Sequence, residues 1–204
     1  EYMGHKKGEY NFLHPNNHVN FSQSTNDAYP TALRLALYYK TEVYIKALKR
    51  LQKAFAKKGT EFKRVLKMGR TQLQDAVPMI LGDEFKGFAS AIEKDIELLE
   101  DARFLFTSSN MGGTAIGTMI NAPEKYPQLV NKHLAKLTGI PVKLADDLIE
   151  ASSDTGDYVH LSGTLKRNVL KLSKICNDLR LLSSGPRCGL NEINLPKMQP
   201  GSSI

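Results

Sequence analysis

Three stretches of the chain predict an all-α fold, a bundle of long helices. Between residues 28 and 58, Leu33, Leu37, Tyr44, Leu48, Leu51 and Phe55 recur at steps of three, four or seven. That is helical periodicity sustained for roughly eight turns of ~3.6 residues. From 81 to 106, Phe85, Phe88, Ile92, Ile96, Leu99, Ala102 and Phe106 form a second apolar stripe. Further on, Ser162, Leu165, Val169, Leu172, Cys176 and Leu179 alternate steps of three and four, a coiled-coil-like seam. Helices this long exceed the usual globular range and bury their stripes against one another in bundles.

Taken in order, the first twenty residues read as polar and loop-like after a short helical start, centred on His14-Pro15-Asn16-Asn17-His18. Pro15 prevents a continuous helix from placing His14 and His18 on one face, and no third ligand stands nearby, so no metal site is expected. The first long helix opens at Phe21-Ser22-Gln23-Ser24-Thr25-Asn26-Asp27-Ala28-Tyr29-Pro30. One Ser, Thr, Asn or Asp side chain satisfies an orphan N–H at a helix start, and Pro30 is tolerated in a first turn. Ser24, Thr25, Asn26 and Asp27 offer four candidates. The surplus reads either as a redundant cap or as the wall of a small-anion site at a helix N-terminus.

Gly59 is expected to end that helix as a C′ residue. A polar, kinked connection through Met68-Gly69-Arg70-Thr71-Gln72-Leu73-Gln74-Asp75-Ala76-Val77-Pro78 follows, rich in hydrogen-bonding groups. The second long helix spans about 81 to 106, with Glu93, Asp95, Glu97, Glu100 and Asp101 read as its solvated outer face. Gly112-Gly113-Thr114-Ala115-Ile116-Gly117-Thr118 lacks a Gly-Lys-Ser/Thr ending and follows no strand, so it reads as a tight backbone turn near a ligand or another chain and not as a nucleotide cradle. A shorter helix covers 127 to 138, and a connection with Asp146, Asp147 and Glu150 runs from 139 to 155. Leu170, Ile175, Leu181 and Leu182 widen the apolar arc of the last helix beyond one face, so neighbours from other subunits are expected on it. Residues 183 to 204 read as a long extended segment.

Composition narrows the function classes. In 204 residues, 28 Lys+Arg against 21 Asp+Glu give a formal charge of +7. Lys46, Lys49, Arg50, Lys53, Lys57 and Lys58 follow one helix face without interleaved aromatics, zinc spacing or an RNA-binding signature, so nucleic acid is not an expected partner. No apolar run approaches the ~20 residues of a membrane span and these residues show no basic-then-apolar pattern, so neither membrane insertion nor secretion is expected. Cys176 and Cys188 make no disulfide framework, and free thiols fit a cytoplasmic setting. The absence of an initiator methionine at Glu1 and of a closing helix leads us to expect a piece of a larger protein.

Five motifs occur in register along the chain. They are Ser-Gln-Ser-Thr-Asn-Asp-Ala-Tyr-Pro-Thr (22 to 31), Gly-Arg-Thr-Gln-Leu-Gln-Asp-Ala (69 to 76), Gly-Thr-Ala-Ile-Gly-Thr (113 to 118), Ser-Gly-Pro-Arg (184 to 187) and Pro-Gly-Ser-Ser-Ile (200 to 204). Together they resemble the aspartase/fumarase superfamily, and 1–204 resembles its central helical domain. Ser24-Thr25-Asn26-Asp27 where fumarases usually read Ser-Ser-Asn-Asp, Gln72 where they usually carry His, and Asn191-Glu192-Ile193-Asn194-Leu195 resemble the aspartase branch.

The resemblance implies removal of a Cβ proton from L-aspartate and loss of ammonia to give fumarate, with no cofactor or metal. It makes Ser202 the base. It sets Ser24, Thr25 and Ser203 on the β-carboxylate, and Asn26, Thr71 and Gln72 around the amino group. It further implies a homotetramer whose sites each draw on three subunits, with a lysine and an asparagine of the site beyond Ile204 and a threonine upstream of Glu1, so this piece alone is expected to lack lyase activity. The accessory dicarboxylate site of fumarases is not carried over to His14-Pro15-Asn16-Asn17, because Asn17 replaces an acidic residue there. The rival readings are a fumarase, which would release water, and a non-catalytic helical scaffold.

Overall fold

The computed structural model describes residues 1–198 and Gly201. After a π turn, Pro15–Val19, come α1 (Thr25–Glu61), β1 (Leu66–Thr71), β2 (Gln74–Ile80), α2 (Leu81–Leu105), β3 (Ser108–Ser109), α3 (Tyr126–Thr138), β4 (Lys143–Leu144), α4 (Leu148–Ser153) and α5 (Gly156–Leu182). The expected all-α character holds. Two small sheets interrupt it, an antiparallel β1–β2 hairpin and a parallel β3–β4 pair. Contacts group the residues into one unit of Glu1–Val43 with Glu100–Leu161 and a second of Tyr44–Leu99 with Ser162–Ile204.

The second unit holds an apolar core. Ile45 and Leu48 of α1, Phe85, Phe88, Ile92, Ile96 and Leu99 of α2, and Ile175 and Leu182 of α5 are all buried. Phe55, Phe62, Phe85 and Phe88 pack tilted or edge-on with centroids 5.3 to 6.1 Å apart, each such pair adding roughly 0.5–1.5 kcal/mol beyond its buried area. Gly59 does not end α1, which continues to Glu61. A Cβ on Gly59 would lie 2.7 Å from Lys86 Cγ and 3.1 Å from the Gly82 carbonyl oxygen, and one on Gly82 would lie 2.4 Å from the Gly59 oxygen. The glycines let two backbones touch, so Gly59 is a packing residue and not a stop signal.

Asp95 overturns the solvated reading of the acidic face. It is fully buried, and its carboxylate meets Lys171 Nζ (2.6 Å), Arg167 Nε (3.1 Å) and Asn168 Nδ2 (3.0 Å) on α5. Glu93, Glu97, Glu100 and Asp101 are exposed as expected. On α5 the buried positions of this unit are Thr164, Asn168, Ile175 and Leu182. Of the expected seam, Ser162, Val169 and Cys176 are exposed, and Leu165, Leu172 and Leu179 are half-buried.

The first unit is organised more by polar groups. On its part of α1 the buried residues are Asp27, Thr31, Arg34 and Thr41, whereas Leu33 of the expected stripe is 37% exposed. Arg34 Nη1 donates to Asp157 Oδ2 (2.7 Å) and to the Leu105 carbonyl (3.3 Å). Its guanidinium also lies over the rings of Phe106 and Tyr158. A helix face this rich in buried polar groups carries a weak apolar period, which is why Leu33 misled the pattern. The His14–His18 segment is also more ordered than a loop. Pro15 starts the π turn, the His14 N–H donates to His18 Nδ1 (2.8 Å), and His14 Nδ1 accepts from the N–H groups of Asn16 and Asn17. No helix precedes it.

Candidate active-site walls

The start of α1 is a capping box extended by one reach. Ser24 Oγ accepts the Asn26 N–H (3.2 Å), and Asp27 Oδ1 returns to accept the Ser24 N–H (2.9 Å). The other oxygen of Asp27 crosses to the glycine-rich turn, where it accepts N–H groups of Gly112 (3.2 Å) and Thr114 (2.9 Å). Asn26 adds two links of its own, since its Nδ2 donates to the Ala115 carbonyl (2.7 Å) and its backbone carbonyl accepts from Asn110 Nδ2 (3.0 Å). The turn expected near a ligand or another chain is thus braced on this chain's own helix start.

Beside that start lies a polar recess of about 380 Å³ lined by Asn16, Asn20, Gln23, Ser24 and Thr25. Ser24 and Thr25 set hydroxyls at a helix N-terminus, where aligned peptide dipoles favour an anion. Tyr126 is held neutral to a higher pH than usual, first by burial and then by the negative charge of Asp27.

Thr71 and Gln72 sit in the second unit, at the tip of the β1–β2 hairpin. This segment was expected as a kinked connection, and its strand character was masked by Gly69 at a bulge and by Pro78 inside β2. Thr71 pairs with Gln74, which leaves a two-residue turn with Gln72 at φ 52 and Leu73 at φ 63. Both positive values are those of a type I′ turn, usually given to Asn or Gly. Thr71 to Pro78 are exposed.

Below the tip a charge cluster ties the hairpin to the extended C-terminal segment. Arg70 Nη1 meets Glu192 Oε1 at 2.6 Å, and Lys67 Nζ meets Glu84 Oε2 at 2.5 Å and Glu192 Oε2 at 3.3 Å. The last contact is charge proximity and not a hydrogen bond, since Glu192 Oε2 has no hydrogen-bond partner. A recess of about 310 Å³ adjoins the cluster, lined in part by Lys67, Arg70, Gln72 and Glu84.

The structure therefore brings Ser24, Thr25 and Asn26 together on one unit and Thr71 and Gln72 together on the other. Ser202 and Ser203 lie outside the described residues. Residue-by-residue reading missed Asp27 as a tie to the glycine turn, Asn110, and the Arg70–Glu192 pair. Asp27 carried a signal, since Ser-x-x-Asp at a helix start is the spacing of a reciprocal cap.

A model of the Lyase_1 family, described as lyase, matches residues 1–204. Aspartate ammonia-lyases from Helicobacter pylori (strain 26695) and Pseudomonas aeruginosa are 61% and 62% identical over the whole of this chain, and that from Escherichia coli (strain K12) 55%. The chain spans 43–44% of the length of these curated relatives. Among solved structures, a fumarate lyase:delta crystallin from Brucella melitensis superposes with TM-score 0.96 at 54% identity, covering 99% of this chain and 44% of that one. A class II fumarase from Schistosoma mansoni superposes with TM-score 0.91 at 34% identity, covering 95% and 44%.

Proposed function

We propose, for a chain that belongs to the Lyase_1 family, that the whole protein is an aspartate ammonia-lyase converting L-aspartate reversibly to fumarate and ammonia, and that 1–204 is its central helical domain. The observation that carries this is 55–62% identity to aspartate ammonia-lyases across all 204 residues. The fumarase reading has weaker support, at 34% identity.

The chemistry sets the requirements. The Cβ proton of aspartate is barely acidic until the adjacent carboxylate can take up charge as an enediolate, so the site needs a base together with concentrated donors for that carboxylate. Ser202 is the proposed base. Its alkoxide takes the Cβ proton and becomes a hydroxyl, and the electron pair moves into the carboxylate; that pair then returns to form the Cα–Cβ double bond as the C–N bond of the ammonium group breaks, its bonding pair leaving with ammonia. A serine hydroxyl ionises only with strong support from N–H groups and positive charge in a closed site. Ser24, Thr25 and Ser203 hold the β-carboxylate, for which the hydroxyls at the start of α1 are suited. Asn26, Thr71 and Gln72 surround the amino group. Gln72 does not titrate, so it orients where a histidine would also exchange a proton.

We further propose a homotetramer with shared sites, acting in the cytoplasm. Exposed Val169 (56%), Leu170 (61%) and Cys176 on α5 support association. Among the described residues no helix is long and apolar enough to cross a membrane. The full-length protein is expected to form fumarate from aspartate, followed by ultraviolet absorbance, and to leave malate unchanged. Ser202→Ala is expected to lower kcat by about three orders of magnitude or more. Turnover of malate in preference to aspartate would replace the reading with a hydratase. Full activity of Ser202→Ala would remove the serine mechanism, and the absence of any activity would favour the scaffold.

A further inference from the structure

We infer that Asp27 and the glycine-rich turn at 112–115 are positioning groups for Asn26. They fix its amide with the NH2 end on the protein and leave Oδ1 as the acceptor for a substrate ammonium group. This rests on the reading of Asn26 as an amino-group contact proposed above.

The chemistry of one contact sets the orientation. Asn26 Nδ2 lies 2.7 Å from the Ala115 carbonyl oxygen, and a carbonyl can only accept. A flipped amide would set two oxygens against each other, so the assignment follows from the partner. With its NH2 engaged there, the end of the exposed amide that remains is the acceptor. Among the described residues no hydrogen bond reaches Oδ1. An ammonium group only donates, so this is the end that complements it.

The Ala115 carbonyl is held in place by a turn with backbone hydrogen bonds of its own, from the Gly113 N–H to the Asn110 carbonyl (2.9 Å) and from the Gly117 N–H to the Gly113 carbonyl (3.0 Å), and with a further tie to Asp27. Thr114 sits at φ 59, between Gly112 at φ 99 and Gly117 at φ 89. For a β-branched residue the left-handed region is an outlier costing roughly 1–2 kcal/mol, and it persists where the surroundings impose it. Asp27 Oδ2 adds to the turn's own hydrogen bonds here, drawing the N–H groups of Gly112 and Thr114 onto one atom. A cap needs only Oδ1. Oδ2 instead reaches residues 85 and 87 positions further along the chain, from a side chain that is fully buried. Asn110 Nδ2 grips the backbone carbonyl of Asn26 itself (3.0 Å). Asn26 is thus fixed at both its backbone and its amide, next to a carboxylate that ties the two fixtures together.

The test compares L-aspartate with succinate, which has the same two carboxylates and carbon chain and no amino group, in the full-length protein. Asp27→Asn preserves shape but offers one oxygen, so either the cap or the turn loses its acceptor. The KM for aspartate is expected to rise about tenfold or more, in line with a lost hydrogen bond to a charged group, and the succinate Ki to rise clearly less, by under about threefold, because succinate senses only the disturbance of the Ser24 cap. Equal losses for both ligands, or no change in either, would overturn the inference.

Because Asp27 is buried, the exposed Asn26→Asp is measured alongside it. That variant offers the ammonium two acceptors and a negative charge but cannot donate to Ala115. The ratio of aspartate KM to succinate Ki is expected to rise about fivefold or more, and a falling ratio overturns the inference. Asn26→Ala separates the two layers of the reading. If it raises the ratio while Asp27→Asn does not, Asn26 contacts the amino group and the positioning role fails. If it leaves the ratio unchanged, the role of Asn26 fails as well, and the inference falls with it.

Discussion

Asp27 and Asp95 are both fully buried carboxylates on long helices, and they are satisfied in opposite ways. Asp95 is met by side chains, those of Lys171, Arg167 and Asn168, and Asn168 in turn accepts from the Tyr44 hydroxyl. Asp27 is met by the backbone N–H groups of Ser24, Gly112 and Thr114. The two cationic partners can turn to water when the carboxylate is lost, since Lys171 is 28% exposed and Arg167 47%, while Asn168 is fully buried. Backbone donors in a tight turn cannot. A carboxylate neutralised by mobile cations fastens two helices, whereas one enclosed by fixed N–H groups dictates the path of a loop.

The largest effect that separates the two is stability. Asp27→Asn is expected to lose about 3 kcal/mol in urea denaturation, because an NH2 replaces one acceptor and orphans N–H groups that cannot reorient. Asp95→Asn is expected to lose less, about 1–2 kcal/mol. That lies below the usual penalty for breaking a buried pair, since both cations retain a route to solvent. If Asp95→Asn proves the costlier change, the contrast between mobile and fixed partners is wrong.

Smaller still, Arg167→Ala is expected to cost under about 1 kcal/mol, because nearly half of that side chain is in water and Lys171 remains on the carboxylate. A loss approaching that of Asp95→Asn would mean that Arg167 and not Lys171 carries the pairing. The smallest effect concerns Tyr44, whose phenol is raised above 10.0, first by burial and then by the charge of Asp95. A folded-state pKa above the unfolded one contributes stability in full below pH 10.0, and that contribution is lost as pH rises through the folded value. Thermal melts are therefore expected to be flat in this respect up to about pH 9.5 and to fall beyond it, with a shallower fall in Tyr44→Phe. An equal slope in both proteins would remove Tyr44 from the alkaline transition.

The long helices were legible because period survives wherever burial is apolar. All seven residues of the stripe expected on the second helix, from Phe85 to Phe106 just past the end of α2, are buried. Where burial is polar the same method fails. Asp95 stands three residues after Ile92 and four before Leu99, which is a core position by spacing, yet its charge argued for solvent. Gly59 was misread because a packing glycine and a terminating glycine look alike until the facing backbone at Gly82 is known. The hairpin at Thr71–Gln72 gave no alternation, since its strands carry Gly69 and Pro78 and its turn uses left-handed Gln72 and Leu73 in place of Asn or Gly. The candidate residues at Ser24 to Asn26 were legible as a polar surplus, but the partner that explains Asp27 lies 85 residues away.

Gly59 and Gly82 carry a consequence for how sequence change is tolerated around them. Two backbones in direct contact at a single pair of glycines behave like a vernier with one setting. Sliding α1 past α2 by one residue in either direction would bring Lys58 or Thr60, and Leu81 or Asp83, to a point where only a hydrogen atom fits. An insertion or deletion within either helix near this point therefore cannot be absorbed by slippage. Packing sets no such limit at the exposed tip of the hairpin between the two helices, where length is instead constrained by the proposed contacts of Thr71 and Gln72 with the substrate.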